Sequence, residues 1–570
     1  MSNRDFTKED VKGYECVFST YTSNKMIGSD ALVIKENIHL KDGRVIPNVR
    51  VRVNEKWPFY ITRKGFQNHK DHKEYEKFER VEKRMSTRID LVKNVGNALH
   101  RSSPRNSIKD LADSPYLYGV DISPGALMKS KYMKAFPDCQ TMSYRVAGLD
   151  IETDVVDGTE AIIMVNITER NRSYTAVTKQ FVKNRPNFIE NTYAEAKRLI
   201  PNDIKDMDWV IEIVDTPAQA VVKTIEKAHE WKPDFISIWN MSFDIPYMEK
   251  ALLAEGYDPA DVFSDPKVPP EFRYFRWKQG PAIKKTHDGK TSSIHIADRW
   301  HVVTATASFY FLDAMCLRKR IRPADGNEPS YKLNAILKTE GLETKLSIEE
   351  LKDIEDDGDV WHYEMQKNYP EIYTVYNFID DKRLVDYDDK TGDISRAFPA
   401  LAGVSDYSRF HQNPRRIADD LHFFYGERGM IVGSTSAIID KDPLNKMVHS
   451  LVDWIVTLPS YMIQNGLQVF DDAPNLRTMF FQYLSDLDIA STYPTVERIC
   501  NLSKETTKFE VSALRGFSNQ QLRTFTLDLT GGKSNALDLC IRYLGYPTPD
   551  KFLEDYQAFK QEKSQLKAAA

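Results

Sequence analysis

From residue 146 to about 395 the chain switches repeatedly between the two periodicities by which a polypeptide buries one face. YRVAGLDIET and AIIMVNIT read as buried strands joined by a short acidic turn. PAQAVVKTIEKAHEWK follows with helical spacing of its apolar residues, then the buried strand PDFISIWN and the helix FDIPYMEKALLAEG, closed by Gly256. Beyond a loop carrying Pro259, Pro266, Pro269 and Pro270, FYFLDAMCL reads as a strand or strand end and YPEIYTVYNFIDDKRLVDYD as a long helix. Strands alternating with helices predict an α/β layer structure.

At 570 residues the chain is too long for one ordinary core, so two to four domains are expected. Residues 1–145 read as a mixed N-terminal domain. ALVIKEN and PNVRVRVNEKWPFYITRK alternate apolar and polar residues there, and RSSPRNSIKD reads as a loop. Residues 146–395 form the α/β domain, and 396–475 a connecting segment. In that segment DDLHFFYGERGMIVG suggests a hairpin and NKMVHSLVDWIVTLPSYMIQNG a helix. Residues 476–570 follow as a last unit. The fold class expected is thus multidomain α/β and α+β.

Bulk composition excludes some classes. The five cysteines (Cys16, Cys139, Cys316, Cys500, Cys540) lie far apart with no CxxC, so they read as small buried hydrophobes and not as a zinc site or disulfide framework. No apolar run approaches the ~20 residues a membrane span needs. The start, MSNRDFTKEDVKGYE, lacks the apolar core of a secretory signal, so a cytoplasmic chain is expected. A net charge of −5 neither advertises nor excludes nucleic-acid binding, because local patches decide it.

Acids sit at telling places in the α/β pattern. Asp150 and Glu152 are two apart on a strand, so they share a face. Asp244 lies in the first turn of a helix after a buried strand, where an acid suits the positive helix end. Tyr376 and Asp380 are four apart on a helix and share a face. Each piece alone is commonplace: a surface DxE, a helix cap, an exposed Asp380-Asp381 turn. Together they could place four carboxylates around two Mg²⁺ or Mn²⁺ ions, which take oxygen ligands. Two such ions can activate a water and stabilise a departing phosphodiester oxygen. The run Arg273-Tyr274-Phe275-Arg276-Trp277-Lys278 could bind a frayed strand by stacking and charge, or be a half-buried strand with its bases turned outward.

The order DIE (150–152), NMSFD (240–244) and YNFID (376–380) resembles the three exonuclease motifs of family B DNA polymerases, most closely those of T-even-like bacteriophages. PSYKLNAIL, ahead of the third motif, is similar too. The resemblance implies a ribonuclease H-like DEDD fold that edits single-stranded DNA 3′ ends. It implies metal ligation by Asp150, Glu152, Asp244 and Asp380, and a water positioned by Tyr376. Asn240 and Phe243 would shape the groove for the terminal nucleotides. Asp313 sits where the family has a further acid, and the hairpin signalled by Asp288-Gly289 where it has a strand-separating hairpin.

SDLDIASTYPTVERICNLSKET resembles the first palm motif of the same family. The resemblance puts a catalytic, metal-holding carboxylate at Asp488 and the sugar-stacking residue at Tyr493, with backbone from Ile489 onward along the triphosphate. Thr492 and Thr495 depart from the usual Leu and Ser. The second palm aspartate, the fingers and the thumb find no match in the remaining residues, and GGK in LDLTGGKSNALD reads as a turn before a helix because it lacks P-loop spacing. The expectation is the N-terminal piece of a split DNA polymerase, completed by a second polymerase chain. Primer-template DNA would be its substrate, dNTPs would bind only with that partner, and the family also allows a sliding clamp. The alternatives are a free-standing 3′→5′ exonuclease with a vestigial palm, and a non-catalytic DNA-binding polymerase subunit.

Overall fold

The computed structural model describes residues 6–69, 73–101, 107–140, 144–183, 185–285, 291–322, 328–346, 348, 352, 358–397, 410 and 413–434, and two short strands near residue 530. Residues divide into two units, Met1–His449 and Ser450–Ala570. The architecture is mixed α/β with several sheets.

The first unit opens with a three-stranded antiparallel meander, β1 (Val11–Asn24), β2 (Ser29–Leu40) and β3 (Val45–Val53). The half-buried alternation expected for β2 is not what forms. Nearly every residue of β2 is buried, because it is the central strand and is covered on both faces. A smaller sheet of Trp57–Thr62, Val81–Ser86 and Leu117–Tyr118 follows.

The α/β segment builds a six-stranded mixed sheet. In chain order its strands are β4 (Val146–Thr153), β5 (Ile162–Glu169), β6 (Arg172–Thr178), β7 (Asp208–Val214), β8 (Phe235–Ile238) and β9 (Tyr310–Asp313). Their spatial order is β7-β6-β5-β4-β8-β9. The pairs β4/β5 and β5/β6 are antiparallel, and the others parallel.

Helices cover both faces. Helix α1 (Pro217–Trp231) and helix α2 (Met241–Ala254) seal one core with Leu149, Ile151, Val165, Ile167 and Ile236. Helix α3 (Gly358–Asn368) and helix α4 (Pro370–Thr391) close the other with Met164, Val177, Trp209 and Ile211. The start of α1 is set by Thr216, whose hydroxyl accepts the Gln219 N–H, with Pro217 at the first helical position. Gly148 lets α4 come close: a Cβ there would sit 2.7 Å from the Asp381 carbonyl oxygen.

The meander is tied to the α/β sheet through buried charge. The Lys35 Nζ donates to the carbonyls of Lys232 (2.6 Å) and Pro233 (3.1 Å) and lies 3.6 Å from the Asp234 carboxylate. Asp234 also accepts the Arg145 N–H, and Arg145 pairs with Glu169 at 2.8 Å. Lys232 pairs with Asp265 at 2.5 Å.

One sequence expectation needs correction. DDLHFFYGERGMIVG is no hairpin: a helix runs over Asn413–Gly426 and a strand over Met430–Val432, which pairs with Tyr75–Lys77. The turn glycines Gly426 and Gly429 come only after the thirteen glycine-free residues 413–425, and Pro414 suits a helix start. Leu527–Asp528 pairs antiparallel with Lys533–Ser534; Gly531, Gly532 and the helix expected after GGK lie outside the described residues.

The base-aromatic run does alternate as a half-buried strand. In Phe275–Lys278, Phe275 stacks on Phe263 and Trp277 on His301, while Arg276 and Lys278 are exposed. The hairpin Ile283–Lys285/Thr291–Ser293 forms, with its Asp288-Gly289 tip outside the described residues. Cys16, Cys139 and Cys316 are buried free thiols. No helix among the described residues is long and apolar enough to cross a membrane.

Candidate metal centre

Strand β8 pairs with β4 only over Val146–Gly148. Beyond Gly148 the two parallel strands part at their carboxyl ends, the usual place for a site in an α/β sheet. The gap is filled from α2: the Asp244 Oδ1 accepts the Ile151 N–H, at 3.4 Å, that β8 no longer pairs. From the other face α4 presents Tyr376 and Asp380. A cavity of about 340 Å³ results, walled by Leu149, Trp239, Leu333 and Leu384 and lined by Asp150, Glu152, Asn240, Phe243, Asp244, Tyr376 and Asp380. Every expected exonuclease residue except Asp313 borders this one space.

Asp150, Glu152 and Asp380 each offer a carboxylate oxygen, and the three lie within 4.8 Å of one another. Asp244 faces Asp150 from α2 and stands outside that tight trio. Asp380 and Asp381 are 5% and 0% exposed, so they do not form an exposed acidic turn. Asp488, Ile489 and Tyr493 lie outside the described residues, as do the helix expected at 445–466 and the strand-turn-helix around Asp488. Phe243 is partly exposed beside Tyr247, with ring centroids 4.6 Å apart, and the Asn240 Oδ1 accepts the Ser242 hydroxyl.

The trio is costly to hold ionised. Burial, then the charges of Glu152 and Asp380, push the Asp150 carboxyl well above its ordinary value. Burial also lifts Glu152 to about 8, against the hydrogen bond from Tyr373 and with Asp380 adding to the rise. Burial raises Asp380 although Lys345 opposes it, and burial with Asp150 raises Asp244. The Asp380 Oδ1 is buried with no hydrogen-bond partner among the described residues. Close oxygens, an orphaned acceptor and an excess of negative charge together fit a hard divalent cation.

Four contributors escaped the sequence reading. Lys345 is the only cation lining the cavity among the described residues. Its ammonium pairs with Asp380 and donates to the Tyr376 hydroxyl at 2.9 Å. Burial opposes that charge, but Asp380 and Asp150 outweigh it and hold the ammonium above its ordinary value. No spacing marks Lys345, which is 31 and 35 residues ahead of its partners. Tyr373 hydrogen-bonds Glu152 from one turn before Tyr376, and helical spacing could have found it. His362 lines the cavity from α3. Asp381 accepts a 2.6 Å hydrogen bond from Asn166, the residue opposite Asp150 on β5.

Asp313 is not part of this cavity. Its carboxylate accepts the N–H groups of Cys316 (2.8 Å) and Met241 (3.2 Å), capping one helix and tethering the start of α2. Asp313, Cys316 and His301 also bring possible ligand atoms within 4.8 Å. The Gly280 N–H donates to the His301 Nδ1, however, and burial lowers the ring's pKa to about 4. The neutral ring then carries its proton on Nε2, which is closed to a metal.

Compared with models of known protein families and with curated proteins, the chain matches none.

Proposed function

We propose that this chain is a divalent-metal-dependent 3′→5′ exonuclease of the ribonuclease H-like DEDD type acting on single-stranded DNA ends, and the N-terminal piece of a split family B DNA polymerase. The observation that carries the nuclease reading is the convergence of Asp150, Glu152 and Asp380, with Asp244 and Tyr376, in one cavity at the parting of β4 and β8. Asp150, Glu152 and Asp380 would hold one ion, and Asp244 with Asp150 would border the second. When bound, such ions lower the pKa of a water and stabilise the departing 3′-oxygen.

The chain's own groups do the rest. Asn240 and Phe243 stand at the cavity where a terminal nucleotide would enter, and the exposed Phe243 ring offers a face for a base to stack on. Tyr376 and Lys345 form a hydroxyl-ammonium pair beside Asp380 that can orient a water and a phosphate oxygen. The polymerase half rests on the sequence around Asp488 and Tyr493.

A 5′-labelled oligonucleotide with Mg²⁺ and with chelator tests the nuclease: stepwise shortening from the 3′ end in Mg²⁺ alone is expected, and none with either would refute it. The isolated chain should not extend a primer, because the second palm carboxylate finds no match in its sequence. Asp488→Ala should leave the nuclease rate unchanged. Primer extension by the pure chain would overturn the split.

A further inference from the structure

Glu152 is held from behind. The Tyr373 hydroxyl donates to its Oε2, and no hydrogen bond to its other oxygen, Oε1, is found among the described residues. Tyr373 is itself held by two residues one turn apart on α3. The His362 Nδ1 lies 2.7 Å from the Tyr373 oxygen and the Gln366 Nε2 3.3 Å from it. Gln366 is fixed in turn by the strand that carries Glu152: its Nε2 donates to the Thr153 carbonyl at 2.8 Å, and its Oε1 accepts the Val155 N–H at 3.0 Å.

The donor count sets the direction of this chain of bonds. A phenol has one proton, and here it goes to the carboxylate, so the Tyr373 oxygen must accept from both α3 residues. The His362 Nδ1 therefore carries a proton and donates it to the Tyr373 oxygen. Parallel stacking on Tyr376, with centroids 5.7 Å apart and planes 3° apart, fixes the phenol ring.

From this geometry we infer that Tyr373, keyed by His362 and Gln366, is a positioning residue that locks the Glu152 rotamer and leaves one carboxylate oxygen, Oε1, to meet a divalent cation. The assignment rests on the nuclease reading. Tyr373 itself touches neither ion nor substrate. Its work is to remove one oxygen of Glu152 from competition and to aim the other. Partners that orient a ligand in this way typically contribute 10–100-fold to metal affinity or activity.

The test is Mn²⁺ binding to the full chain by calorimetry, with nuclease rate against Mn²⁺ concentration alongside. Tyr373→Phe keeps the ring and its stacking and loses only the bond to Glu152. It should weaken Mn²⁺ binding roughly 10–100-fold and shift the concentration for half-maximal rate equally, with the rate restored at saturating Mn²⁺. Gln366→Leu should give a smaller shift in the same direction. Wild-type Mn²⁺ affinity in Tyr373→Phe would overturn the inference, as would a loss of rate that no Mn²⁺ concentration restores. If the wild type binds Mn²⁺ but cuts no DNA, the nuclease reading falls, and the affinity comparison still decides the role of Tyr373.

Discussion

Two of the places where the first unit buries charge do it in opposite ways. Where the meander meets the α/β sheet, Lys35, Arg145 and Lys232 face Asp234, Glu169 and Asp265, each cation with an acid of its own. At the cavity, Asp150, Glu152, Asp244, Asp380 and Asp381 face, among the described residues, Lys345 alone. At Asp234 burial outweighs Lys35 and Arg145 and leaves the carboxyl above its ordinary value, and the contrast is sharpest between Asp265 and Asp150. Burial raises Asp265, yet the Lys232 ammonium brings it below its ordinary value, whereas burial and Glu152 drive Asp150 far up. A fold that can balance buried charge at one site and leaves it unbalanced at another has room for something to bind there. Balanced charge holds two sheets together; unbalanced charge stores a demand for protons or cations.

Removing charge should therefore have opposite effects in the two places. The largest change expected is in Asp150→Ala/Glu152→Ala, which should bring degradation of a labelled oligonucleotide down to background while the melting temperature holds or rises, because like charges are relieved. Wild-type cutting by this double mutant would dispose of the site. Next comes Lys35→Met, which leaves Asp234 buried without its cation. A loss of about 3–5 kcal/mol is expected from denaturant unfolding, and an unchanged midpoint would show that the junction does not hold the sheets.

Tyr376→Phe should come third. Its hydroxyl assists and does not ligate, so a fall of about 10²-fold in nuclease rate is expected, with cutting still measurable. A loss as complete as in the double mutant would give Tyr376 a larger part.

The smallest effect is thermodynamic and has a definite sign. Glu152 has a pKa of about 8 in the fold against an ordinary 4.5. Between those values the native state keeps a proton that the unfolded chain has lost. That contribution to stability is full below about pH 4.5 and disappears as pH rises through about 8. A divalent cation bound there would take the place of the proton, so Mg²⁺ or Mn²⁺ should raise the melting temperature more at pH 8 than at pH 6. At a hundred times its dissociation constant an ion contributes about 2.7 kcal/mol. A pH-independent or absent shift, read by differential scanning fluorimetry, would break the contrast between the two charge clusters.

The cavity was readable from sequence where periodicity carries it. Asp150 and Glu152 share a face because strands repeat every two residues, and Tyr376 and Asp380 because a helix repeats every 3.6. The strands and helices around them could be placed for the same reason. Other parts were hidden because their spacing has no short-range sign. Lys345 reaches Asp380 through a loop, and Asp313, similar in setting to the four acids, turned out to cap a helix. Strands β6 and β7 complete the sheet without lending a residue to the cavity that would draw attention to them.

Gly148 does more than make room. The helix that bears Asp380 rests on the strand that bears Asp150 at that point, one step before the strands part. The missing side chain thus acts as a spacer gauge for the cavity, fixing how far apart the two carboxylates stand. A methyl group at 148 would lift the helix and widen the gap between them, and the preferred ion would change with it. Mg²⁺ needs oxygens at 2.0–2.1 Å in a strict octahedron, while Ca²⁺ accepts 2.3–2.6 Å and looser geometry. A backbone contact that carries no charge would in this way set which metal the charged residues choose.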